Sequence, residues 1–413
     1  MLSQRSQRNT SEIIPRLLRE YHQPQAGNID ILDLSQAENS VLRDETLDEI
    51  RSAIGKHLNG SNLSYPTGVG GELAARKSLA MFFNDRFNPA RSVSPDHIVM
   101  TPGASEALET LIFHICDPGE GVLIAAPYWS GLDLALETRS LARIVQVNIP
   151  LHEFFEMSSI QYYERALATS PIPIKAILMC NPHNPLGQCY NADVLEGLLG
   201  FCQRNKLHYI SDEVYGMSVF SDSDKGVTPA FTSILSHATA PGLTSWVHMV
   251  YSLSKDFGCS GLRLGAIVTQ GNTDLLLGSA LITNNKVSSL TSVIVPSLLE
   301  PRTTQKLLNQ NLRSRLNLNY GKVQRFLENR GLEFVPAKAG LFVFACLGKT
   351  RTEKEQLLLI ECMKRSGVKL VAGTSFHFEQ FCWFRIMFSL PKNIVDVALQ
   401  RIGDALDETE KLL

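Results

Sequence analysis

Seven short apolar runs alternate with helix-like segments in the middle of this 413-residue chain. Short apolar runs bounded by polar turns are typical of buried strands, and longer segments with apolar residues every three or four positions are typical of helices. The predicted strands are His97–Thr101, Gly121–Ala126, Ile144–Val147, Lys175–Cys180, Leu207–Ile210, Val247–Ser252 and Leu264–Thr269. The intervening helical segments include Ser105–Cys116, Ser130–Glu137 and Val194–Arg204. The alternation predicts an α/β fold with a seven-stranded, mostly parallel sheet.

A different pattern begins near Asn272, where helices and strands no longer alternate regularly. The predicted elements are helices Asn319–Arg330 and Glu353–Ser366 and strands Leu332–Pro336, Leu341–Ala345, Lys369–Val371 and Trp383–Phe388. These elements predict a smaller α+β domain. We expect residues 60–300 to form the large domain, and residues 1–59 and 301–413 to form the small one.

Charge and composition exclude several classes of function. With 39 basic and 41 acidic residues the net charge is −2, so we expect neither nucleic acid nor a membrane surface as a partner. No apolar run reaches the length of a membrane span, and the first residues lack the apolar core of a secretory signal. The eight cysteines form no CxxC pair and the ten histidines no HExxH motif, so we expect free thiols, no metal and a cytoplasmic location.

Polar and small residues follow several of the predicted strands. Ligands of parallel α/β sheets bind outside the carboxyl ends of the strands. The segments that reach this edge are Gly103-Ala104-Ser105, Tyr128-Trp129, Asn181–Asn184, Asp212 and Lys255. We therefore expect them to contribute to one binding site.

Lys255 has the most informative surroundings, in the segment Ser252–Gly261 after a buried strand. A lysine that enters an interior must lose its charge, find a partner or become covalently bound. Ser254 allows close approach of a phosphate, and Arg263 follows eight positions later. The pattern suits a lysine bound as a Schiff base to pyridoxal phosphate (PLP). The alternative is an ordinary loop lysine at a strand end.

Two other strand ends fit the same cofactor. Ala104 and Ser105 open a helix after a strand, where backbone N–H groups and a hydroxyl form an anion site, although an ordinary capping serine gives the same pattern. Asp212 ends a buried strand, where a carboxylate needs a partner, and the protonated ring nitrogen of PLP is one. The alternative for Asp212 is a helix cap.

Three further residues have both a functional and a structural interpretation. Asn184 lies in a turn between Pro182 and Pro185. In the functional interpretation the turn directs the Asn184 amide into the site, and in the structural one it is a rigid turn without a chemical role. Trp129 either stacks on the planar ring of a cofactor, which is the functional interpretation, or packs in the hydrophobic core, which is the structural one. Arg385 lies inside an apolar strand, where it binds a carboxylate or forms an internal ion pair.

Taken together, these segments resemble the class I/II aminotransferase family of PLP-dependent fold type I enzymes. The similarity runs from about Leu32 to Phe388 and is greatest to the 1-aminocyclopropane-1-carboxylate (ACC) synthase-like branch. The motifs that carry it are Ala37-Glu38-Asn39, Ser252-Leu253-Ser254-Lys255-Asp256 with Gly261-Leu262-Arg263, and Trp383-Phe384-Arg385. The resemblance implies a large domain with a seven-stranded sheet, a smaller domain, and an α-amino acid as substrate.

The resemblance also implies a role for each candidate residue. Lys255 binds the cofactor covalently and moves protons, and Asp212 pairs with the ring nitrogen. Tyr215 and Asn184 contact the phenolic oxygen of the cofactor, and Trp129 stacks on its ring. Arg385 and Glu38 bind the substrate. The phosphate is bound by Ala104, Ser105, Ser252, Ser254 and Arg263. Tyr65 reaches the phosphate in a neighbouring subunit, which implies a homodimer.

The shared chemistry leaves the reaction open among three outcomes after the α-proton is removed. Transamination is our first expectation because it is the commonest outcome in the family. A carbon–sulfur lyase acting by β-elimination is second. ACC synthesis is third, because the segment Ser61–Pro66 lacks the glutamine and aspartate that ACC synthases place before the tyrosine. A catalytically silent regulator is the non-enzyme alternative, but no helix-turn-helix pattern accompanies the fold, and both Lys255 and Asp212 are present.

Overall fold

The computed structural model describes residues 2–15, 31–66, 68–220, 231–238 and 242–413. Its strands are β1 (Leu32–Asp33), β2 (Ile98–Thr101), β3 (Gly121–Ala126), β4 (Arg143–Asn148), β5 (Ile174–Cys180), β6 (His208–Asp212), β7 (Val247–Ser252), β8 (Gly265–Thr269), β9 (Phe334–Val335), β10 (Phe342–Cys346), β11 (Val368–Lys369), β12 (Val371–Ala372) and β13 (Trp383–Met387).

The α-helices of the described residues have the following bounds. They are Gln4–Arg8, Arg43–His57, Leu73–Arg86, Ala104–Ile115, Gly131–Glu137, Ile160–Thr169, Ala192–Asn205, Leu253–Asp256, Thr273–Ile282, Ser289–Leu298, Pro301–Thr304, Arg313–Asn329, Glu353–Arg365 and Lys392–Leu412. A π-helical stretch, Gln305–Leu312, joins two of them.

The central sheet has seven strands in the order β2-β8-β7-β6-β5-β3-β4. Strands β7, β6, β5, β3 and β4 run parallel, and β8 is antiparallel to both of its neighbours. The predicted seven-stranded, mostly parallel sheet is confirmed. Because the parallel strands share one direction, their carboxyl ends meet at one edge of the sheet.

Helices cover both faces of this sheet, which explains its continuous apolar runs. Successive side chains of a strand point to opposite faces. Val122 and Ile124 therefore pack in one core beneath the helices Ala104–Ile115 and Gly131–Glu137, whereas Leu123 packs in the other core.

A four-stranded antiparallel sheet, β12-β13-β10-β9, forms from the C-terminal part of the chain. One expectation is wrong here. Lys369–Val371 was expected to form a single strand, but the chain changes sheets at Leu370. Residues Val368–Lys369 pair in parallel with Leu32–Asp33, and Val371–Ala372 join β13. The apolar pattern did not reveal this break because both short strands are partly buried.

The segment before residue 60 contacts two parts of the molecule. Leu32 pairs with Val368, as expected for packing against the C-terminal part. The helix Arg43–His57 packs instead against the helix Ser289–Leu298. The domain division at residues 60 and 300 stays a prediction.

The described residues contain neither a membrane-spanning helix nor a metal-binding cluster. No helix there is both long and apolar enough to cross a membrane. No group of three or more potential metal-ligating side chains occurs within the same residues.

Candidate active site

A cavity of about 900 Å³ lies at the carboxyl edge of the parallel strands. It brings together residues that are up to 354 positions apart, from Ile31 to Arg385. The predicted site residues that line it are Ala104, Ser105, Trp129, Asn184, Asp212, Tyr215, Ser252, Ser254, Lys255, Arg263 and Arg385. Tyr65 and Glu38 do not line this cavity.

Lys255 lies in the short helix Leu253–Asp256, which begins where β7 ends. The helix is capped by Ser252, whose Oγ accepts the Ser254 N–H at 3.1 Å. Lys255 Nζ donates to the Ala37 carbonyl at 2.6 Å. Burial lowers the pKa of Lys255 to about 8, with help from the positive charge of Arg385. A lysine with such a pKa is partly neutral near physiological pH and can act as a nucleophile or base.

Asp212 ends β6, the strand beside β7, which brings its carboxylate to the same edge as Lys255. Its side chain is buried and, among the described residues, accepts one long hydrogen bond, 3.4 Å from the Val214 N–H. Burial raises the pKa of Asp212 to about 7, and the nearby charge of Lys255 opposes this shift. A buried carboxylate with so few donors suits a cationic partner in the cavity.

An anion-binding geometry surrounds Gly103, at the start of the helix Ala104–Ile115. Gly103 has a φ of 96°, and a Cβ there would lie 2.2 Å from Nη2 of Arg263. Arg263 is held by hydrogen bonds to the carbonyls of Ser260 (2.8 Å) and Pro102 (3.1 Å). The helix N–H groups, the guanidinium and the nearby serine hydroxyls provide the donors that a phosphate requires.

The serine hydroxyls are those of Ser252 and Ser254, whose Oγ atoms lie 2.8 Å apart. Two flat side chains form other parts of the wall. The Trp129 indole lies directly over Gly131, where a Cβ would be 2.1 Å from Cζ2 of the indole. The Tyr215 ring meets Phe342 edge-on at 5.5 Å, and burial raises the pKa of the Tyr215 hydroxyl.

Arg385 is buried in β13 and points into the cavity. Its Nη1 donates to Oδ1 of Asn184 at 3.0 Å, and its Nη2 donates to the Ser35 carbonyl at 2.5 Å. The guanidinium lies over the rings of Phe342 and Phe376, at 5.1 and 5.0 Å from their centroids. A guanidinium fixed in this way is positioned to bind a carboxylate in the cavity.

Sequence reasoning missed a buried network directly behind Lys255. The Asn39 amide donates to the carbonyls of Lys255 and Asp256, both at 3.0 Å. The fully buried Asp256 carboxylate accepts from Ser218 Oγ (2.5 Å), Tyr251 Oη (2.9 Å) and the Met217 N–H. Burial raises the pKa of Asp256 to about 7. The network fixes the backbone that carries Lys255, and the only available signal was the position of Asp256 next to the lysine.

A second missed cluster joins Tyr128, Asp133 and His377 beside the cavity. Tyr128 Oη donates to Asp133 at 3.0 Å, and His377 Nε2 lies 3.0 Å from the same carboxylate. The Tyr128 and His377 rings stack at 4.3 Å. The cluster holds the 3-10 helix Gly373–Phe376 beside the segment that contains Tyr128 and Trp129, and both segments line the cavity. No local pattern in the sequence reveals it.

Two predicted residues lie outside the cavity lining. The Tyr65 side chain is 84% exposed in the single chain. Glu38 accepts a hydrogen bond from Arg43 at 3.1 Å. Its negative charge acts to raise the pKa of Lys255 and so partly offsets the lowering caused by burial. The roles of both residues stay predictions.

Comparison with known proteins gives a consistent family. The model of the family "Aminotransferase class I and II" matches residues 29–402. The probable aminotransferase tcpI of Claviceps purpurea is 37% identical, over 99% of this chain and 96% of its own length. The probable aminotransferase aclI of Aspergillus oryzae is 35% identical, over 98% of each chain. The ACC synthase 7 of Arabidopsis thaliana is 32% identical, over 81% of this chain and 76% of its own.

Solved structures confirm the predicted fold. A mutant aspartate aminotransferase of Thermus thermophilus superposes with a TM-score of 0.78 at 20% identity, over 98% of this chain and 99% of its own. The aromatic aminotransferase of Pyrococcus horikoshii gives the same TM-score and identity, over 93% of this chain and 97% of its own. At this identity the likeness establishes the fold alone.

Proposed function

Because the chain belongs to the class I and II aminotransferase family, we propose that its cavity binds PLP and that it transfers the amino group of an α-amino acid. The observation that carries this proposal is the presence of Lys255, Asp212 and Arg385 in one cavity. A buried amine, a buried carboxylate and a buried guanidinium offer a covalent attachment point, a ring partner and a carboxylate site, respectively.

Two features of the cavity fit the cofactor. The absence of a Cβ on Gly103 lets the Arg263 guanidinium lie against the start of the helix Ala104–Ile115. A phosphate bound there has donors from Arg263, Ala104, Ser105 and the neighbouring serines. The Asp212 carboxylate is buried and poorly supplied with donors, which suits the cationic ring nitrogen. In this assignment Trp129 stacks on the ring, and the phenolic oxygen is held by Tyr215 and Asn184. When bound, PLP supplies a conjugated ring that accepts negative charge from the substrate α-carbon.

The side chains of this chain then have separate tasks. Arg385 binds the substrate carboxylate with its planar fork and so orients the Cα–H bond toward Lys255. Lys255 Nζ, neutral in part because its pKa is about 8, accepts the α-proton and returns it. Asp212 keeps its negative charge opposite the ring nitrogen, which stabilises the charge that develops during proton removal.

A homodimer in the cytoplasm completes the proposal. Leu63 and Tyr65 are 85% and 84% exposed on one short segment, which suits contact with a second copy of the chain. Tyr65 then supplies its hydroxyl to the phosphate in the partner's cavity. The eight cysteines are all free and seven are buried, which supports a reducing compartment.

A lyase is the second candidate, because relatives named as ACC synthases also align with most of this chain. A carbon–sulfur lyase and an ACC synthase use the same proton removal as transamination, and differ in losing a β- or γ-substituent afterwards.

Product trapping distinguishes these reactions. The purified protein is incubated with a panel of amino acids, with and without a 2-oxo acid acceptor, and assayed for keto acid, for pyruvate plus thiol, and for ACC. Acceptor-dependent keto acid is the expected product. Thiol and pyruvate without an acceptor would instead make the protein a lyase. Borohydride reduction followed by peptide mapping checks the cofactor: the label belongs on Lys255 and disappears in Lys255→Ala.

A further inference from the structure

We propose that the cavity contains a subsite for a large apolar substrate side chain next to Arg385. The inference rests on the proposed function, since it takes Arg385 as the residue that binds the α-carboxylate. It adds the substrate class: an α-amino acid whose side chain is bulky and apolar rather than small or acidic.

The first observation is the register of the small sheet. Val371 lies directly opposite Arg385 on the neighbouring strand, and both residues line the cavity. Side chains of directly opposed residues in an antiparallel pair project from the same face, with Cβ atoms about 4.5–5.5 Å apart. A substrate whose carboxylate reaches Arg385 therefore has an apolar surface beside it.

The second observation is one face of the helix Glu353–Arg365. Leu357, Ile360 and Lys364 are spaced at i, i+3 and i+7, so they share a face, and all three line the cavity. Leu357 is 58% exposed. Leu370 and Val371 line the same cavity, and we call the four apolar residues Leu357, Ile360, Leu370 and Val371 the apolar wall. The exposed leucine gains stabilisation when a ligand covers it.

The third observation is the size of the cavity. About 900 Å³ is near the upper end of the range in which proteins bury drug-sized ligands. Each water molecule, which has one non-hydrogen atom, occupies roughly 30 Å³ in the liquid. By that measure the cavity accommodates roughly thirty non-hydrogen atoms, about twice the number in PLP. A side chain as large as a benzyl group therefore fits together with the cofactor.

Charge at the apolar wall favours an apolar side chain over an acidic one. Lys369 lies 3.7 Å from Asp33, which balances its charge. Lys364 has no acidic partner among the described residues and is the one cation on this helix face that would attract an acidic side chain. The apolar wall offers four apolar side chains beside one lysine, Lys364. Because the long stem of a lysine can also pack on apolar groups, this composition favours an apolar substrate side chain.

The test compares kcat/KM for alanine, phenylalanine, S-benzylcysteine and aspartate. In the wild type we expect the two bulky amino acids to exceed alanine at least tenfold. Leu357→Asn should reduce the phenylalanine-to-alanine ratio about fourfold or more, the effect of about one buried methylene group. Leu318→Asn is the matched control, because Leu318 is 50% exposed and lies outside the cavity lining, and it should leave the ratio unchanged.

Two kinetic outcomes would overturn the proposal. One is an equal effect of Leu357→Asn and Leu318→Asn on the ratio. The other is a preference for aspartate that disappears in Lys364→Met, which would make this end of the cavity an acidic-side-chain site.

Calorimetry separates this proposal from the function on which it rests. The probes are 3-phenylpropanoate and propanoate, which carry the carboxylate but no amino group and so bind without reacting. We expect 3-phenylpropanoate to bind at least tenfold more tightly, with a smaller difference in Leu357→Asn. If the protein turns over no amino acid but still shows this difference in affinity, the subsite is supported and the proposed function is rejected. Equal affinities would reject the subsite.

Discussion

Arg385 donates a hydrogen bond of 3.0 Å to the side-chain oxygen of Asn184. One residue lies in β13 of the four-stranded sheet, and the other follows β5 of the seven-stranded sheet. The candidate substrate-binding residue and a candidate cofactor-binding residue therefore touch, and each fixes the orientation of the other. Their contact couples the two halves of the site, so that neither residue can be changed without affecting its partner.

Asn184→Asp converts this hydrogen bond into an ion pair. The new carboxylate competes with the substrate carboxylate for Arg385, so we expect KM for amino acids to rise at least about tenfold, the effect of about 1.4 kcal/mol. Amines that lack the carboxylate serve as the internal control, because their KM should change less. Steady-state kinetics with both substrate types check this, and an unchanged KM for amino acids would argue against a carboxylate site at Arg385.

Arg385→Lys keeps the charge but loses the planar fork. We expect kcat/KM for α-amino acids to fall at least about thirtyfold, which corresponds to about 2 kcal/mol for a bidentate charged contact. PLP binding, followed by visible absorbance, should persist because Arg385 is not a phosphate ligand in this scheme. A variant that retains the wild-type preference for amino acids over the corresponding amines would identify Arg385 as a structural residue.

Asp212→Ala should fold but lose most of its turnover. Removal of the charge opposite the ring nitrogen should cost several kcal/mol of barrier, at about 1.4 kcal/mol for each tenfold in rate. The measurement is kcat at saturating substrate and cofactor, with circular dichroism to check the fold. A near-normal kcat would show that Asp212 is not the ring partner.

Asp212 also makes the stability of the cofactor-free protein depend on pH. Its folded-state pKa of about 7 is above the ordinary value of 3.8, so the stabilising contribution of the protonated form is complete below about pH 4 and is lost as the pH rises through 7. Asp212→Asn should therefore be more stable than the wild type at pH 8, by up to about 4 kcal/mol, and not at pH 4. Urea unfolding at both pH values checks this. Asp48→Asn, at a side chain that is 77% exposed, is the control for the effect of the substitution itself.

Tyr65 provides a test of assembly. If it completes the partner's site, mixing inactive Lys255→Ala and Tyr65→Phe proteins under conditions of subunit exchange should restore activity. Each hybrid dimer would carry both defects in one site and leave the other site intact. Activity assays before and after exchange measure this, with each single variant alone as the control. A strictly monomeric protein at assay concentration would exclude the arrangement.

The sequence predicted those parts of the site that depend on local pattern. Lys255 and Asp212 follow apolar runs that are unmistakable strands, and parallel strands bring their ends to one edge of a sheet. Arg385 stood out because an arginine inside an apolar strand needs a partner. The same reasoning located the strands of the central sheet to within one or two residues of their observed bounds.

The missed features depend on contacts between distant segments. His377 reaches Asp133 and Tyr128 because the segment Gly373–Phe376 folds against Tyr128, more than 240 positions earlier in the chain. Asn39 reaches the carbonyl of Lys255 from near the start of the chain. Leu370 gives no sign of the switch between two sheets, because either sheet satisfies the same apolar pattern. Periodicity reports which face of an element is buried but not which element covers it.

The order of the central sheet also has a consequence for biosynthesis. Within the part of the chain that the structure describes, strand β2 lies at the edge of the sheet beside β8, with Ile98 opposite Val268. At ribosomal rates of about 5–20 residues per second, β2 leaves the ribosome on the order of ten seconds before β8 is made. During that interval the edge of β2 that pairs with β8 has no strand beside it, although the Met100 N–H on β2 can already donate to the preceding Gly70 carbonyl. Unpaired strand edges are the condition under which nascent chains aggregate or engage chaperones. Slower translation between these two strands therefore extends the period during which this edge of β2 is unpaired.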